Sequence, residues 1–312
     1  MAAVDNLVLH SAAKINLNLA VLRRMPDGYH EIFTTFQAID LFDTLTFEKT
    51  TDGGIRIICD NPEFPTDREN LIYQVLERAE KYAIGAVNVR ITVNKQIPIA
   101  AGLGGGSSNA AATIVAANLM YNLGLSDSQM TDWARELGAD VPFFLGNAQA
   151  EGRGRGDLTK QIQVFGDYWV LLIKPPGTLS AGEVYQGFDL ALTKQKDALS
   201  FNNCRGENDF FARITRAENI LTTVVVRLCP EVGRVLEFLE ELKPVTAKVS
   251  GSGPCVFGIF KKRPNLLDIG RSLPSADWRV FDCRPLVDRV AIGLGSQTTD
   301  SIDRQGADRG NH

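Results

Sequence analysis

Gly102-Leu103-Gly104-Gly105-Gly106-Ser107-Ser108 runs directly into an alanine-rich stretch that reaches Tyr121, and this junction constrains the chain more than any other feature. Glycines admit backbone conformations with positive φ and let a ligand approach the main chain closely. A helix starting directly behind them turns its free N–H groups and positive dipole end toward the loop, which favours an anion such as a phosphate. Ser107, Ser108 and Asn109 would add side-chain donors or support a metal ion. A P-loop is excluded because no lysine follows the glycines, and the dinucleotide fingerprint is excluded because Ser107 stands where a sixth-position glycine is needed. The plain alternative is a flexible turn that happens to precede a helix.

The rest of the chain mixes strands and helices. Ala13 to Leu19 alternates apolar and polar residues and reads as a strand, as do 44–49, 55–59 and 87–93. Residues 70–82 read as an amphipathic helix. Ser126 and Gln129 have the spacing of a capping box that opens a helix to about Leu137, with Gly138 as its stop. The glycine-rich, charged segment Glu151 to Asp157 reads as a loop or a domain junction. Further on, 168–174, 246–250, 255–261 and 278–283 read as strands, and 230–242 and 265–273 as helices. This pattern predicts an α+β chain of two domains, 1–165 and 166–294, with a polar, disordered tail over 295–312. No internal repeat is found.

Several polar clusters suggest a site. Lys14 and Asn16, two apart on a strand, share one face, either a site wall or the solvated face of an edge strand. Asp27-Gly28-Tyr29-His30 reads as a turn followed by an aromatic ring and an imidazole. Asp140, in Gly138-Ala139-Asp140-Val141-Pro142, is either a turn or capping carboxylate or a partly desolvated base. Ser250-Gly251-Ser252-Gly253-Pro254 is a second glycine-serine turn, facing a nucleotide or simply joining two strands. Arg153 and Arg155 have the chemistry of phosphate binders, although arginines on loops are usually solvated.

Composition excludes other classes. The 33 basic and 37 acidic residues leave a net charge of −4, with no basic field for nucleic acid. Apolar runs are far shorter than the roughly 20 residues a membrane span needs. Residues 1–6 lack the pattern of a secretion signal, so a cytoplasmic protein is expected. The five cysteines are spread without a Cys-x-x-Cys pair, and the three histidines are His10, His30 and His312, so neither a disulfide framework nor a protein-built metal site is expected.

Taken in order, the Ala13-Lys14-Ile15-Asn16-Leu17 strand, the Pro98 to Ser108 loop and the Ser250 to Pro254 turn resemble the three motifs of the GHMP kinases. The resemblance spans roughly 7–294, and Asp27 to His30 and Leu137 to Pro142 are its specific segments. It implies a two-domain GHMP kinase fold, with an N-terminal domain like ribosomal protein S5 domain 2, a ferredoxin-like C-terminal domain, and the active site in the cleft between them. Within the family these segments are similar to the branch that serves the non-mevalonate isoprenoid pathway. That branch moves the γ-phosphate of ATP to the 2-hydroxyl of a cytidine diphosphate-linked methylerythritol. Residue by residue, the resemblance makes Lys14 and Asp140 catalytic. Pro98, Ile99, Ala100, Ala101, Gly102, Leu103, Gly104, Gly105, Gly106, Ser107 and Ser108 become the ATP loop, and Asn16, Tyr29, His30 and Tyr185 hold the small-molecule substrate. Tyr29 and Tyr185 would sandwich the cytosine ring while His30 reads its edge. Mg²⁺ would accompany ATP, held by few protein ligands. A monomer or weak homodimer is expected, with neither nucleic acid nor membrane as partner.

The chain departs from the family pattern at Ala12, Ala100, Ala181 and Asp157, where proline, glycine, threonine and glutamate are common. Ala12 and Ala100 are small and should be tolerated; Ala181 removes a hydroxyl from its loop. Two other functions fit parts of the pattern: a homoserine- or mevalonate-type kinase, and a nucleotide-binding sensor without catalysis. An aromatic platform serves no purpose for a small non-aromatic substrate, and a sensor has no need of both Lys14 and Asp140.

Overall fold

The computed structural model describes residues 4–163, 165, 167–188, 199–287 and 292–294, so the expected tail at 295–312 lies outside the described residues. Its first sheet is built on one long hairpin, β1 (Asn6–Arg24) and β2 (His30–Lys49), joined by the turn at Asp27-Gly28. Local pattern marks only short pieces of these strands, because their alternation is broken. Register shifts fall between Ala12 and Ala13 and between Asn16 and Asn18. Such bulges insert a residue, bend the strand and re-aim its side chains.

One half of β2 pairs with β4 (Val89–Asn94), which carries β3 (Ile55–Cys59) in parallel. The other half pairs with β5 (Gln149–Arg153), which turns back into β6 (Leu158–Gln161). The segment 151–157 is therefore a hairpin and not a junction. Its glycines hide the strand signal, and at Gly152 there is a packing reason for one: a Cβ there would lie 2.6 Å from the Phe36 ring.

Helices α1 (Leu71–Ala79), α2 (Gly105–Met120), α3 (Asp127–Leu137) and the single turn α4 (Val141–Phe144) cover one face of this sheet. Ser126 caps α3 through the expected box with Gln129. The alanines of α2, 0–1% exposed from Ala110 to Ala112 and at Ala116 and Ala117, let the helix sit close to the sheet.

The second sheet has the order β10 (Arg279–Cys283), β7 (Trp169–Lys174), β9 (Val256–Phe260), β8 (Thr246–Val249), all antiparallel. Numbered within the domain this is 4-1-3-2, the ferredoxin-like arrangement. Between β7 and β8 run α5 (Ala181–Gln186), α6 (Glu207–Arg216), α7 (Thr222–Leu228) and α8 (Glu231–Glu241), and α9 (Leu266–Ser272) joins β9 to β10. Of these, α8 and α9 are marked in the sequence, whereas α5, α6 and α7 are not.

β7 is buried on both faces. Val170 and Leu172 join Ala13, Ile15 and Leu17 of β1 in an apolar layer between the two sheets, whereas Leu171 and Ile173 pack with Val225, Val235 and Leu239 on the far side. The chain then returns: Leu286 donates its N–H to the Ala38 carbonyl, and β11 (Ile292–Leu294) pairs with β1, so the last described strand belongs to the first sheet. Gln37, fully buried, ties these parts together. Its amide donates to the carbonyls of Ala148 and Leu286, and its oxygen accepts from Gln149 and from the hydroxyl of Tyr168.

Candidate active site

The polar face of β1 is enclosed, not solvated. Lys14 is 3% exposed and Asn16 2%, because the glycine loop crosses directly over them. The Lys14 amide donates to the Leu103 carbonyl at 2.9 Å, pinning the loop to the strand. From the other side the Ser250 to Pro254 turn closes on the same loop. Ser250 donates its hydroxyl to the Gly102 carbonyl at 3.0 Å, and Cys255 donates its N–H to the Ala101 carbonyl. Position 102 must be glycine on two counts: its φ is +73°, and a Cβ would stand 2.1 Å from the Ser250 carbonyl oxygen. A Cβ on Gly251 would lie 3.1 Å from Asn16 Oδ1 and 3.3 Å from Lys14 Nζ, so the second glycine-serine turn is part of the site. The strand, loop and turn singled out in the sequence converge here.

The loop is anchored on its entry side as well. Asp43 on β2, fully buried, accepts from the backbone N–H groups of Gln96 and Ile97 and pairs with Lys95 at 2.9 Å. Pro98 to Ala101 then lead to Gly104, the N-cap of α2 at φ +70° with no side-chain cap. The first-turn N–H groups behind it have no carbonyl four residues back and face the loop. Ser107 is half-buried on this turn, and Ser108 Oγ and Asn109 Nδ2 are buried without a protein partner.

Asp140 lies where α3 ends and α4 begins. It occupies the N-cap position of α4, but its side chain makes no capping bond. The carboxylate instead reaches Lys14 Nζ at 3.2 Å. Lys14 Nζ also donates to Asn16 Oδ1 at 2.7 Å and lies 5.4 Å from the centroid of the Phe36 ring. Asp140 keeps 32% of its side chain exposed while the lysine is enclosed, so an incoming group meets the carboxylate first.

The aromatic candidates divide into two places. His30 and Tyr185 stack with ring centroids 5.4 Å apart and planes 24° apart, with Phe188 edge-on to His30 at 6.4 Å. Burial, and secondarily the Asp140 charge, hold the Tyr185 phenol far above its ordinary pKa. Burial and the nearby Arg24 lower the pKa of His30, so its imidazole is neutral near pH 7. Tyr29 is 57% exposed and carries the Arg155 guanidinium at 5.2 Å from its ring centroid. Arg153 lies over Phe33 at 4.9 Å. Both arginines therefore have aromatic partners instead of being merely solvated. Ala181 opens α5 one residue after its cap Ser180, whose hydroxyl makes the box with Glu183, so no hydroxyl at 181 is needed to start the helix.

Sequence reading missed Thr34, which bonds Asn16, and Asp43, which holds the loop entry. Both are polar residues on β2 whose partners lie far away in the chain. All five cysteines are free thiols, and the described residues contain no group of three or more metal-ligating side chains. No helix among them is long and apolar enough to cross a membrane.

A glycine loop at a helix start, closed by a turn from a ferredoxin-like domain and facing a lysine–carboxylate pair, is the arrangement of a small-molecule kinase of the GHMP type. The GHMP kinases N terminal domain matches residues 70–147, and the GHMP kinases C terminal domain matches residues 191–278. The chain is 38% identical to a 4-diphosphocytidyl-2-C-methyl-D-erythritol kinase of Alkaliphilus metalliredigens over 81% of its length and 87% of the relative's. It is 34% identical to one of Geobacillus kaustophilus over 92% of its length and 99% of the relative's. A crystal structure of 4-(cytidine 5'-diphospho)-2C-methyl-D-erythritol kinase superposes with a TM-score of 0.73 at 29% identity, covering 89% of this chain and 98% of that one. A homoserine kinase structure from Cytophaga hutchinsonii reaches the same TM-score, 0.73, at 17% identity over 94% of this chain and 98% of that one, and shares the fold alone. The chain belongs to the GHMP kinases, in the family of the 4-diphosphocytidyl-2-C-methyl-D-erythritol kinases. It is an enzyme that uses ATP as co-substrate.

Proposed function

We propose that the chain phosphorylates the 2-hydroxyl of 4-(cytidine 5'-diphospho)-2-C-methyl-D-erythritol, giving the 2-phosphate and ADP. The contact between Lys14 and Asp140 beneath the glycine loop carries this reading of the chemistry. Phosphoryl transfer to an alcohol is mostly positioning and charge stabilisation. Asp140 accepts the hydroxyl proton as the new phosphorus–oxygen bond forms; an aspartate is too weak a base to make a free alkoxide first, so proton transfer is late. Lys14 keeps the carboxylate ionised and oriented, and offsets charge on the transferring phosphoryl. The first-turn N–H groups of α2 receive the phosphates.

The donors at the start of α2 and at Asp140 are hydroxyl and carboxylate oxygens, and the described residues build no metal cage. That set fits Mg²⁺, which few protein ligands would hold, Ser107 and Asp140 among them. When bound, Mg²⁺ neutralises phosphate charge.

The His30–Tyr185 stack supports an aromatic substrate moiety: its faces offer stacking area and the neutral imidazole offers one donor and one acceptor to a ring edge. Tyr29 and Arg155 stand ready as a second contact. The shared fold with a homoserine kinase makes substrate choice the decisive test. A coupled ADP-release assay should show turnover with the cytidine diphosphate-linked alcohol and little with homoserine or mevalonate. Tyr185→Ala should raise KM for the cytidine substrate more than KM for ATP. Faster turnover of homoserine would overturn the substrate assignment.

A further inference from the structure

The site contains one more polar residue whose chemistry leaves it a single arrangement. Thr34 is fully buried on β2, beside the bulge where β1 passes from Asn16 to Asn18. Its hydroxyl donates to the Asn18 carbonyl at 2.6 Å and accepts from Asn16 Nδ2 at 2.8 Å. A hydroxyl has one proton. With that proton given to Asn18, Thr34 can only accept from Asn16, so the asparagine must turn its NH₂ toward Thr34. Its Oδ1 is thereby aimed the other way, at Lys14 Nζ, 2.7 Å distant. The ammonium, which can only donate, then spans Asn16 Oδ1 and Asp140 Oδ2. The donors run in one direction: Lys14 to Asn16, Asn16 to Thr34, Thr34 to Asn18.

We propose that Thr34 is a positioning residue for phosphoryl transfer: its hydroxyl fixes the orientation of the Asn16 amide, and through it the position of the Lys14 ammonium against Asp140. The proposal rests on the role given to Lys14 and Asp140 above. It also changes the role expected for Asn16. Both ends of its amide are engaged within the protein, so Asn16 serves the lysine first. The rest of the surroundings hold this chain of bonds in place. Asn18 Oδ1 accepts from the Thr35 N–H at 2.6 Å and Asn18 Nδ2 donates to the Leu199 carbonyl at 2.7 Å, so the side chain of the residue whose backbone carbonyl accepts from Thr34 is held at both ends.

The test compares Thr34→Val, which keeps the shape and removes the hydroxyl, with Thr34→Ser, which keeps the hydroxyl and removes the methyl. Displacing a catalytic group by a fraction of its reach is costly, so Thr34→Val should lower kcat by about tenfold to a hundredfold, with KM for both substrates changed by less than about threefold. Thr34→Ser should recover most of the rate, even though it leaves the larger packing defect. A loss that is only structural would follow the missing methyl and fall on Thr34→Ser as well. The decisive measurement is the double variant. If Thr34 acts through Asn16, adding Thr34→Val to Asn16→Ala should cost less than about twofold further, whereas independent roles would multiply. Wild-type kcat in Thr34→Val, equal losses in the valine and serine variants, or multiplying losses in the double variant would each overturn the proposal. Lys14→Ala, measured alongside, separates this from the reading beneath it. If that variant turns over normally, the catalytic assignment is wrong. If it is crippled while Thr34→Val is not, only the role of Thr34 is wrong.

Discussion

Asp140 stands at the N-cap position of a helical turn yet gives its carboxylate to Lys14 on β1, 3.2 Å away, instead of to the backbone below it. An N-cap aspartate ordinarily bonds a first-turn N–H and gains roughly 1 kcal/mol by doing so. Forgoing that bond leaves the carboxylate free to meet a substrate, so its removal should be felt in turnover and little in folding. Asp140→Asn should keep ATP binding within about threefold and lower kcat by about 10²–10⁴-fold, the usual worth of a general base. Lys14→Ala should lower kcat by at least about 10²-fold, as loss of a charge-stabilising donor does. Isothermal binding of ATP and steady-state rates check both; unchanged turnover in Asp140→Asn would remove the base role.

Ala100 occupies the left-handed region, φ +48°, in the loop that leads into the glycine run before α2. For a residue with a Cβ this conformation costs roughly 1–2 kcal/mol. A glycine there would relieve that cost and give back roughly 0.4–1 kcal/mol through its freer unfolded chain. Ala100→Gly should therefore stabilise the protein slightly, raising the thermal midpoint by about 1–3 °C in calorimetry. A lowered midpoint would show that the loop holds Ala100 without strain.

Lys248 on β8 is buried, with its ammonium donating to the Ile214 carbonyl. Burial, only partly offset by Glu218 and Glu240, lowers its pKa from 10.5 to about 7. Between those values the unfolded chain holds a proton that the folded chain has released. Stability contributed at this position therefore rises as pH climbs through that window and is lost as pH falls back through it. Removing the group should flatten the dependence. The thermal midpoint of Lys248→Met, followed from pH 7 to 10, should rise less than that of the unmodified chain, and parallel curves would show that Lys248 titrates normally.

The parts of the site that were legible in the sequence are those made of neighbours in the chain. The loop from Pro98 to Ser108, the pair Lys14 and Asn16, and Asp140 before Pro142 each carry their meaning within a few residues. Thr34 and Asp43 do not, because each acts on a residue brought to it by strand pairing. Burial was equally hidden. Alternation on β1 predicts one polar face, but not that a loop roughly 90 residues on covers it, a consequence of sheet topology and not of local pattern. Among the elements, α3 was readable to its cap because Ser126 and Gln129 make a capping box in fact. The hairpin of β5 and β6 was not, because Gly152, Gly154 and Gly156 lower strand propensity where the tertiary fold wants close approach or a turn.

The return of the chain to the first sheet bears on how such a protein can be taken apart. The ferredoxin-like domain leaves that sheet after β6 and hands the chain back at Leu286, which bonds Ala38 and Gln37, before β11 completes the edge beside β1. In topological terms it is an insertion within its partner and not an appendage to it. A single cut near residue 165 would strip the outer strand from the sheet that carries the glycine loop, while a graft between relatives that respects both crossing points would carry the whole ferredoxin-like module with its host sheet intact.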